Sequence, residues 1–240
     1  MTTLFIADLH LEEARPEISD IFFKFLKNEA PAAQALYILG DLFEAWIGDD
    51  DRSLFNQSVI QALRQTVSQG TPVYFMRGNR DFLMGRGFQR ASGCQILPDE
   101  HLIHLNGQPT LLMHGDTLCT RDEKYLRFRK KARNFFVQQF FLLKSLNTRR
   151  ALAKKARYAS EDHTRNAAPE IMDVTLSEVE RVMLKHHARH LIHGHTHRPA
   201  VHEFALEGQG VRRTVLAPWH AEGSVLICSA DGRQEMVVLN

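Results

Sequence analysis

The chain has 240 residues, 44% of them hydrophobic, and a formal net charge of +2, which suits one large domain, or one domain with an insertion, around its own core. No window approaches 18 consecutive apolar residues, so a membrane-spanning helix is excluded, and the N-terminus runs into a strand-like segment with no secretory pattern. Three scattered cysteines, Cys94, Cys119 and Cys228, lack C-x-x-C spacing and point to a reducing compartment without a thiolate metal site; a cytoplasmic protein is expected.

Up to about Leu118 strands and helices alternate. A strand over 3–7 leads to a helix over 17–29, a strand over 36–39, a helix over 54–68 and a strand over 73–76. Gly70-Thr71-Pro72 stops the second helix and opens the third strand. Asn106-Gly107, between 102–105 and 109–113, is a hairpin signal, so the sheet turns partly antiparallel there. Residues 120–168 break the alternation with helical, basic and aromatic sequence, for which Pro169 is the exit. Thr175-x-x-Glu178 reads as a capping box opening a helix to about Lys185. Strands follow over 191–193, 201–206, 211–216, 224–229 and 235–239. No repeat or linker marks a second domain.

Five of these strands end in short runs of metal-ligand residues: Asp8-x-His10, Gly40-Asp41, Gly78-Asn79, His114-Gly115-Asp116 and Gly194-His195-Thr196-His197. Taken singly each reads as a turn or a cap. Together, ligands just past several strand ends point into one crevice, where open α/β sheets bind their substrates. Seven oxygen and nitrogen donors (Asp8, His10, Asp41, Asn79, His114, His195, His197) are too many for one catalytic ion. Two divalent ions sharing a carboxylate, for which Asp41 is the choice, fit the number. Hard donors without thiolate suit Mn²⁺, with Zn²⁺, Fe²⁺ and Mg²⁺ also compatible. Two such ions generate a hydroxide nucleophile from water and neutralise an in-line phosphoryl displacement, so phosphoester hydrolysis is expected.

The five motifs resemble the calcineurin-like metallophosphoesterase superfamily over almost the whole chain. The resemblance implies an α/β fold of two packed mixed β-sheets flanked by helices, and the residues of 121–168 themselves read as a helical cap inserted in a single domain, 1–240. It implies that Asp8, His10, Asp41 and His197 hold one ion, and Asp41, Asn79, His114 and His195 the other. The superfamily's third motif is usually Gly-Asn-His-Asp/Glu, whose His protonates an alkoxide leaving group. Here it is Gly78-Asn79-Arg80-Asp81. Arginine cannot act as an acid but clamps phosphate bidentately, which points to a P–O–P bond; a surface salt bridge is the plainer reading of Arg80.

The stretch from Ile38 to Asp50, through Leu42-Phe43-Glu44-Ala45-Trp46-Ile47-Gly48, and the wording around the other motifs resemble the UDP-2,3-diacylglucosamine hydrolase family of Gram-negative lipid A synthesis. This implies hydrolysis of UDP-2,3-diacylglucosamine to UMP and lipid X. Asp41, Asn79, Arg80 and His195 would be the catalytic residues. Asn79 and Arg80 would lie near the diphosphate, Asp122 and Ser160 on the nucleotide or sugar side, with Thr164 and His195 as further contacts and Tyr125, Phe141 and Arg157 as cap candidates. Family members place Lys at the position of Ala167, for which Arg165 would stand in. A different nucleotide diphosphate or a phosphodiester is the alternative substrate, and a non-catalytic scaffold the alternative class.

From Arg121 to Arg165 there are fourteen Lys/Arg against four Asp/Glu. That excess of ten positive charges leaves an excess of about eight negative on the remainder. Long Lys and Arg stems cover apolar surface while their heads stay wet, and an exposed aromatic face buries into a lipid interface. An anionic inner-membrane surface is therefore the expected partner, with the protein bound peripherally on its cytoplasmic face. The alternative is ordinary core between cap helices. Nucleic acid is not expected, for want of a reading motif, and a monomer is. Other residues keep two readings: Asp116 orients a ligand His or caps a turn, Trp46 packs beside the site or in the core, and Glu44 supports a ligand from behind. His186, His187 and His190 read as solvated or as helix C-caps.

Overall fold

The computed structural model describes residues 2–166, 168 and 171–240, without the side chains of 161, 163, 164 and 166. Ala167, Pro169 and the Thr164 side chain, all named above, lie outside the described residues. Strand β1 (Thr2–Ile6), helix α1 (Pro16–Asn28), β2 (Ala33–Leu39), α2 (Leu54–Ser68) and β3 (Val73–Met76) follow the expected alternation. The helix α3 (Arg86–Ser92) and the strand β4 (Gln95–Leu97) come next. Both are too short for a periodic signal, and neither figures in the sequence reading. Strands β5 (Glu100–Leu105) and β6 (Gln108–Met113) form the hairpin, Asn106 and Gly107 both having positive φ as a type I′ turn demands. The insertion folds as α4 (Glu123–Ala132), α5 (Phe135–Leu142) and α6 (Leu146–Asn166). After it come α7 (Leu176–Lys185), β7 (His190–His193), β8 (Ala200–Leu206), β9 (Gln209–Val215), β10 (Gly223–Ser229) and β11 (Gln234–Leu239).

Two mixed sheets result. One has the order β11-β10-β1-β2-β3-β4, with β1 to β4 parallel and β10 and β11 antiparallel. The other runs β5-β6-β7-β9-β8, parallel at its centre and antiparallel at both edges. Phe5, Leu39, Met76, Leu112, Ile192 and Leu226 fill the space between the sheets. Phe22, Phe25, Leu63 and Phe88 cover the outer face of the first, and Val179, Val182 and Met183 of α7 cover the second. Each such side chain contributes about 1.5–3 kcal/mol on burial. With both faces covered, the strands read as continuous apolar runs, as parallel strands should.

Thr175 does begin α7, but its hydroxyl accepts a 2.6 Å hydrogen bond from Thr120 rather than capping the helix, and Glu178 pairs with Arg181. The expected capping box is therefore absent. His190 is buried on β7, 2.8 Å from the Thr214 hydroxyl, and burial with Arg212 nearby holds its pKa down at about 4. His186 lies 2.6 Å from Glu100. His190 is therefore packed, neither solvated nor a cap, whereas His186 is the C-cap residue of α7, one of its two expected readings.

The helices of the insertion are tied to the core by arginines. Arg129 of α4 and Arg133 at its C-cap reach Asp99, and Arg129 also reaches Asp116 at 2.6 Å. On α6, Arg149 forks onto Asp50 and donates to the Ile47 carbonyl at 2.8 Å; Arg150 meets Asp51 and Arg157 meets Glu44. The aromatic α5 between them has no buried residue. Phe136 is 78% and Leu143 85% exposed, so the reading of these aromatics as ordinary core fails on this helix.

Candidate metal centre

The seven donors form a closed ring of contacts. From Asp8 Oδ1 it is 3.7 Å to His197 Nε2, from there 3.4 Å to His10 Nε2, and 3.9 Å on to Asp41 Oδ2. From Asp41 Oδ1 it is 3.8 Å to His114 Nε2, then 2.9 Å to Asn79 Oδ1, 3.0 Å to His195 Nδ1, and 2.7 Å from the His195 amide back to Asp8 Oδ2. Asp41 turns one oxygen to each half of the ring. The donors come from the ends of β1, β2 and β3 in one sheet and of β6 and β7 in the other.

Backbone shape aims them. Asp8, His10, Asp41, His195 and His197 all have φ between 50° and 70°, a left-handed region that Asp and His enter more readily than most residues. Close packing completes the aim: a Cβ on Gly40 would stand 2.5 Å from His114 Nδ1, and one on Gly78 would strike the Asp41 carboxylate. Asp81 accepts from the amides of Gly78 at 2.7 Å and Leu42 at 2.8 Å, pinning the second motif to the third. Burial, with Asp41 close by, pushes the Asp81 carboxyl up to about 7. Its place in Gly-Asn-Arg-Asp was the available signal, but a turn aspartate looks like any other until its burial is seen.

Two of the imidazoles, His114 and His10, have a partner behind the ring. His114 Nδ1 donates to the Leu39 carbonyl at 2.8 Å, leaving Nε2 toward Asp41 and Asn79. Asp116 does not orient a ligand His: it accepts from the Tyr125 hydroxyl at 2.5 Å and from Arg129. Glu44 Oε2 stands 3.1 Å from His10 Nδ1. Trp46 packs on Phe43 and Phe88, in the core. The loop after β9 also borders the site, Trp219 donating to the Asp8 carbonyl at 3.0 Å and His220 lying edge-on to His197; nothing in a lone Trp-His pair signals that in sequence.

Electrostatics favour cations. Burial opposes a charge on Asp8, yet His197 at 3.7 Å and the nearby His114 and His10 hold the carboxyl well below its usual range. Burial also opposes the imidazolium of His10, but Glu44, Asp41 and Asp8 outweigh it and raise the pKa; for His114, Asp41, Asp8 and Asp116 do the same. Burial and His114 hold His195 down at about 4. Asp8 Oδ1 is buried without a hydrogen-bond partner among the described residues. Two carboxylates, an amide oxygen and imidazole nitrogens are a donor set that hard or borderline divalent ions take, and the cysteines are buried elsewhere. The residues present fit two metal ions.

Of the expected substrate contacts, Asn79 lies in the ring itself. The Tyr125 ring is 6.1 Å from that of His195. Arg157 reaches the ring of donors through Glu44. Asp122 is buried and caps α4, accepting from the Tyr125 amide at 2.9 Å. Ser160 lies one turn beyond Arg157 and is half-buried, as is Phe141. Arg80 donates its amide to Asp41 at 2.8 Å and accepts from the Trp46 amide. Its Nε is buried without a partner among the described residues, so the surface salt-bridge reading fails. A cavity of about 670 Å³ beside the third motif, lined by Arg77, Phe82, Leu83, Arg129, Arg133 and Leu142 among others, separates 82–85 from α4 and α5.

Residues 1–199 match the profile of the calcineurin-like phosphoesterases. The chain belongs to that family. It is 52% identical over 232 residues to the UDP-2,3-diacylglucosamine hydrolase of Azotobacter vinelandii, covering 97% of this chain and 96% of that one. With the enzyme of the same name from Pseudomonas aeruginosa UCBPP-PA14 it shares 52% over 235 residues, 98% of each chain. With that of Coxiella burnetii RSA 331 it shares 51% over 234, covering 98% and 96%. An archaeal phosphodiesterase structure superposes with a TM-score of 0.50 at 12% identity over the full length of both chains, a likeness of fold. The two-sheet architecture is that of the family, and the family's chemistry is hydrolysis at a dinuclear metal centre.

If the ring holds metal, Gly78→Ala should displace the Asp41 carboxylate and weaken Mn²⁺ binding by about 10–100-fold while far-UV circular dichroism stays native. In the parent chain binding should tighten as pH rises above the ordinary imidazole value of about 6.5, because His10 and His114, both raised, must shed protons to become ligands. Calorimetric titration in buffers of different ionisation enthalpy reads both, and pH-independent binding of undiminished strength in the variant would contradict them.

Proposed function

We propose that the chain hydrolyses UDP-2,3-diacylglucosamine at the α-phosphorus, giving UMP and 2,3-diacylglucosamine 1-phosphate (lipid X), in lipid A synthesis. The relatives that carry this activity in their names match it at about half identity over nearly their whole length. The observation that carries the choice of bond is Arg80, beside Asn79, with a buried guanidinium nitrogen that no acid of the described chain takes. A phosphate leaving group has a second pKa of about 6, so it needs charge neutralisation, not a proton, and a guanidinium supplies that.

In this reading Asp8, His10, Asp41 and His197 hold one Mn²⁺, and Asp41, Asn79, His114 and His195 the other. Such a pair lowers the pKa of a water and neutralises phosphoryl oxygens. The chain's part is to orient: Asn79 and Arg80 take the diphosphate, and His195 adds a contact. Tyr125, Phe141, Arg157, Asp122 and Ser160 line the way from the cap, and Thr164 is a further contact on the family resemblance alone. Among the described residues no helix is long and apolar enough to cross a membrane. Exposed Phe128, Phe135, Phe136, Phe140 and Leu143, amid the cap's surplus positive charge, suit a monomer docked on the anionic cytoplasmic face of the inner membrane, where a diacylated substrate resides. Each Lys or Arg near such a surface contributes about 1 kcal/mol.

Run in H₂¹⁸O with Mn²⁺, the reaction should place the label in UMP; label only in lipid X would refute attack at the α-phosphorus. Arg80→His should lower diphosphate hydrolysis by about 100-fold and spare an alkyl phosphodiester, and an unchanged preference between the two would sink the role given to Arg80. Co-sedimentation with anionic vesicles should vanish on deletion of 128–155. Binding that survives the deletion would rule out the cap as the membrane contact.

A further inference from the structure

We propose that Glu44 is a joint through which the metal centre and the cap fix one another. The inference rests on the metal reading of the ring and not on the substrate. Glu44 follows the second motif, and its backbone is clamped to the first: its amide donates to the Leu11 carbonyl at 3.1 Å, beside a bridge between Leu11 and Phe43. Only the side chain is left to move. One of its oxygens lies 3.1 Å from His10 Nδ1, and the other contacts the Arg157 guanidinium on α6. Glu44 is thus shared between a ring of the candidate centre and the helix that ends the cap.

Arg157 differs from the other anchors of α6. Arg149 and Arg150 grip Asp50 and Asp51 near the start of that helix. Arg157 sits eight residues on, about 12 Å along the axis, where α6 passes the centre. A ligand imidazole is held by what its second nitrogen donates to, and that partner is ordered in turn. A cation on His10 Nε2 makes Nδ1–H a stronger donor and so orders the Glu44 carboxylate. The ordered carboxylate gives Arg157 a fixed partner on the core, which draws α6 onto it. The coupling is reciprocal by linkage: a docked cap orients Glu44 for His10. Glu44 and Arg157 are therefore positioning residues.

Hydrogen–deuterium exchange on the full-length protein, stripped with chelator and then reloaded with Mn²⁺, tests this without substrate. Mn²⁺ should slow exchange of the α6 amides around Arg157 several-fold in the wild type. That increment should vanish in Arg157→Ala and in Glu44→Gln, the latter read at Mn²⁺ concentrations raised to offset an affinity about 10–100-fold weaker, with bound ions counted by electron paramagnetic resonance. Arg149→Ala, which loosens the other end of the helix, should keep the increment; a purely structural anchor would behave the same at either position. Two ions bound with α6 exchange unchanged would overturn the joint and leave the metal reading standing. Persistence of the increment in Glu44→Gln at matched occupancy would also overturn it, and failure of the wild type to bind Mn²⁺ would overturn both.

Discussion

Two carboxylates, Asp8 and Asp41, are buried at the centre of this molecule, and among the described residues no Lys or Arg side chain forms an ion pair with either. Desolvating an ion costs several kcal/mol even after a protein relaxes around it. What meets them is backbone amides, of His195 and Arg80, and imidazoles that need carry no charge. The negative potential left over raises the pKa of His10 and His114. Protons and divalent cations answer the same potential, so the site is built to bind metal at a cost the apo protein bears.

Much of the surrounding architecture is there to keep those groups together. A left-handed residue costs roughly 1–2 kcal/mol, and five of the seven donors adopt that conformation. Strain of this kind persists only where packing over-determines it. Here the apolar layer between the sheets and the hydrogen bonds of Asp81 supply that constraint. Gly40 and Gly78 let neighbouring motifs approach closer than any side chain would permit. The result is that strands from two sheets deliver donors to one small volume with little freedom to drift apart.

That division explains what could be read in advance. Strand ends, the helices over 17–29 and 54–68 and the Asn106-Gly107 hairpin announce themselves through periodicity and turn chemistry, which are local. The donors were legible because each follows a strand and because seven of them recur in a family order. Asp81, the Trp219-His220 loop and the burial of His190 depend on which segments meet in space, and no local pattern encodes that. Asp116 shows the limit from the other side. Its position two residues after His114 suggested support for the ring, whereas the fold presents it to Tyr125 and Arg129.

The charge sum of the insertion does not say where its charges point. Five of the eight arginines in the insertion are set apart from its lysines. Arg129, Arg133, Arg149, Arg150 and Arg157 turn inward to Asp99, Asp116, Asp50, Asp51 and Glu44, so the acidic surplus of the core is in part the docking surface for the basic surplus of the cap. Lys124, Lys130, Lys131, Lys154 and Lys155 are exposed. Chemistry accounts for the split. A planar guanidinium forks onto carboxylates and carbonyls with defined geometry, while an ammonium is a hydrated point charge on a flexible stem. Arginines therefore locate the cap on the core. The exposed lysines and Arg121, Arg127 and Arg165, with the open aromatic face of α5, are what remains to meet an anionic surface, so neutralising the lysines would weaken such a contact without unseating the cap, whereas losing one of the five inward arginines would do the reverse.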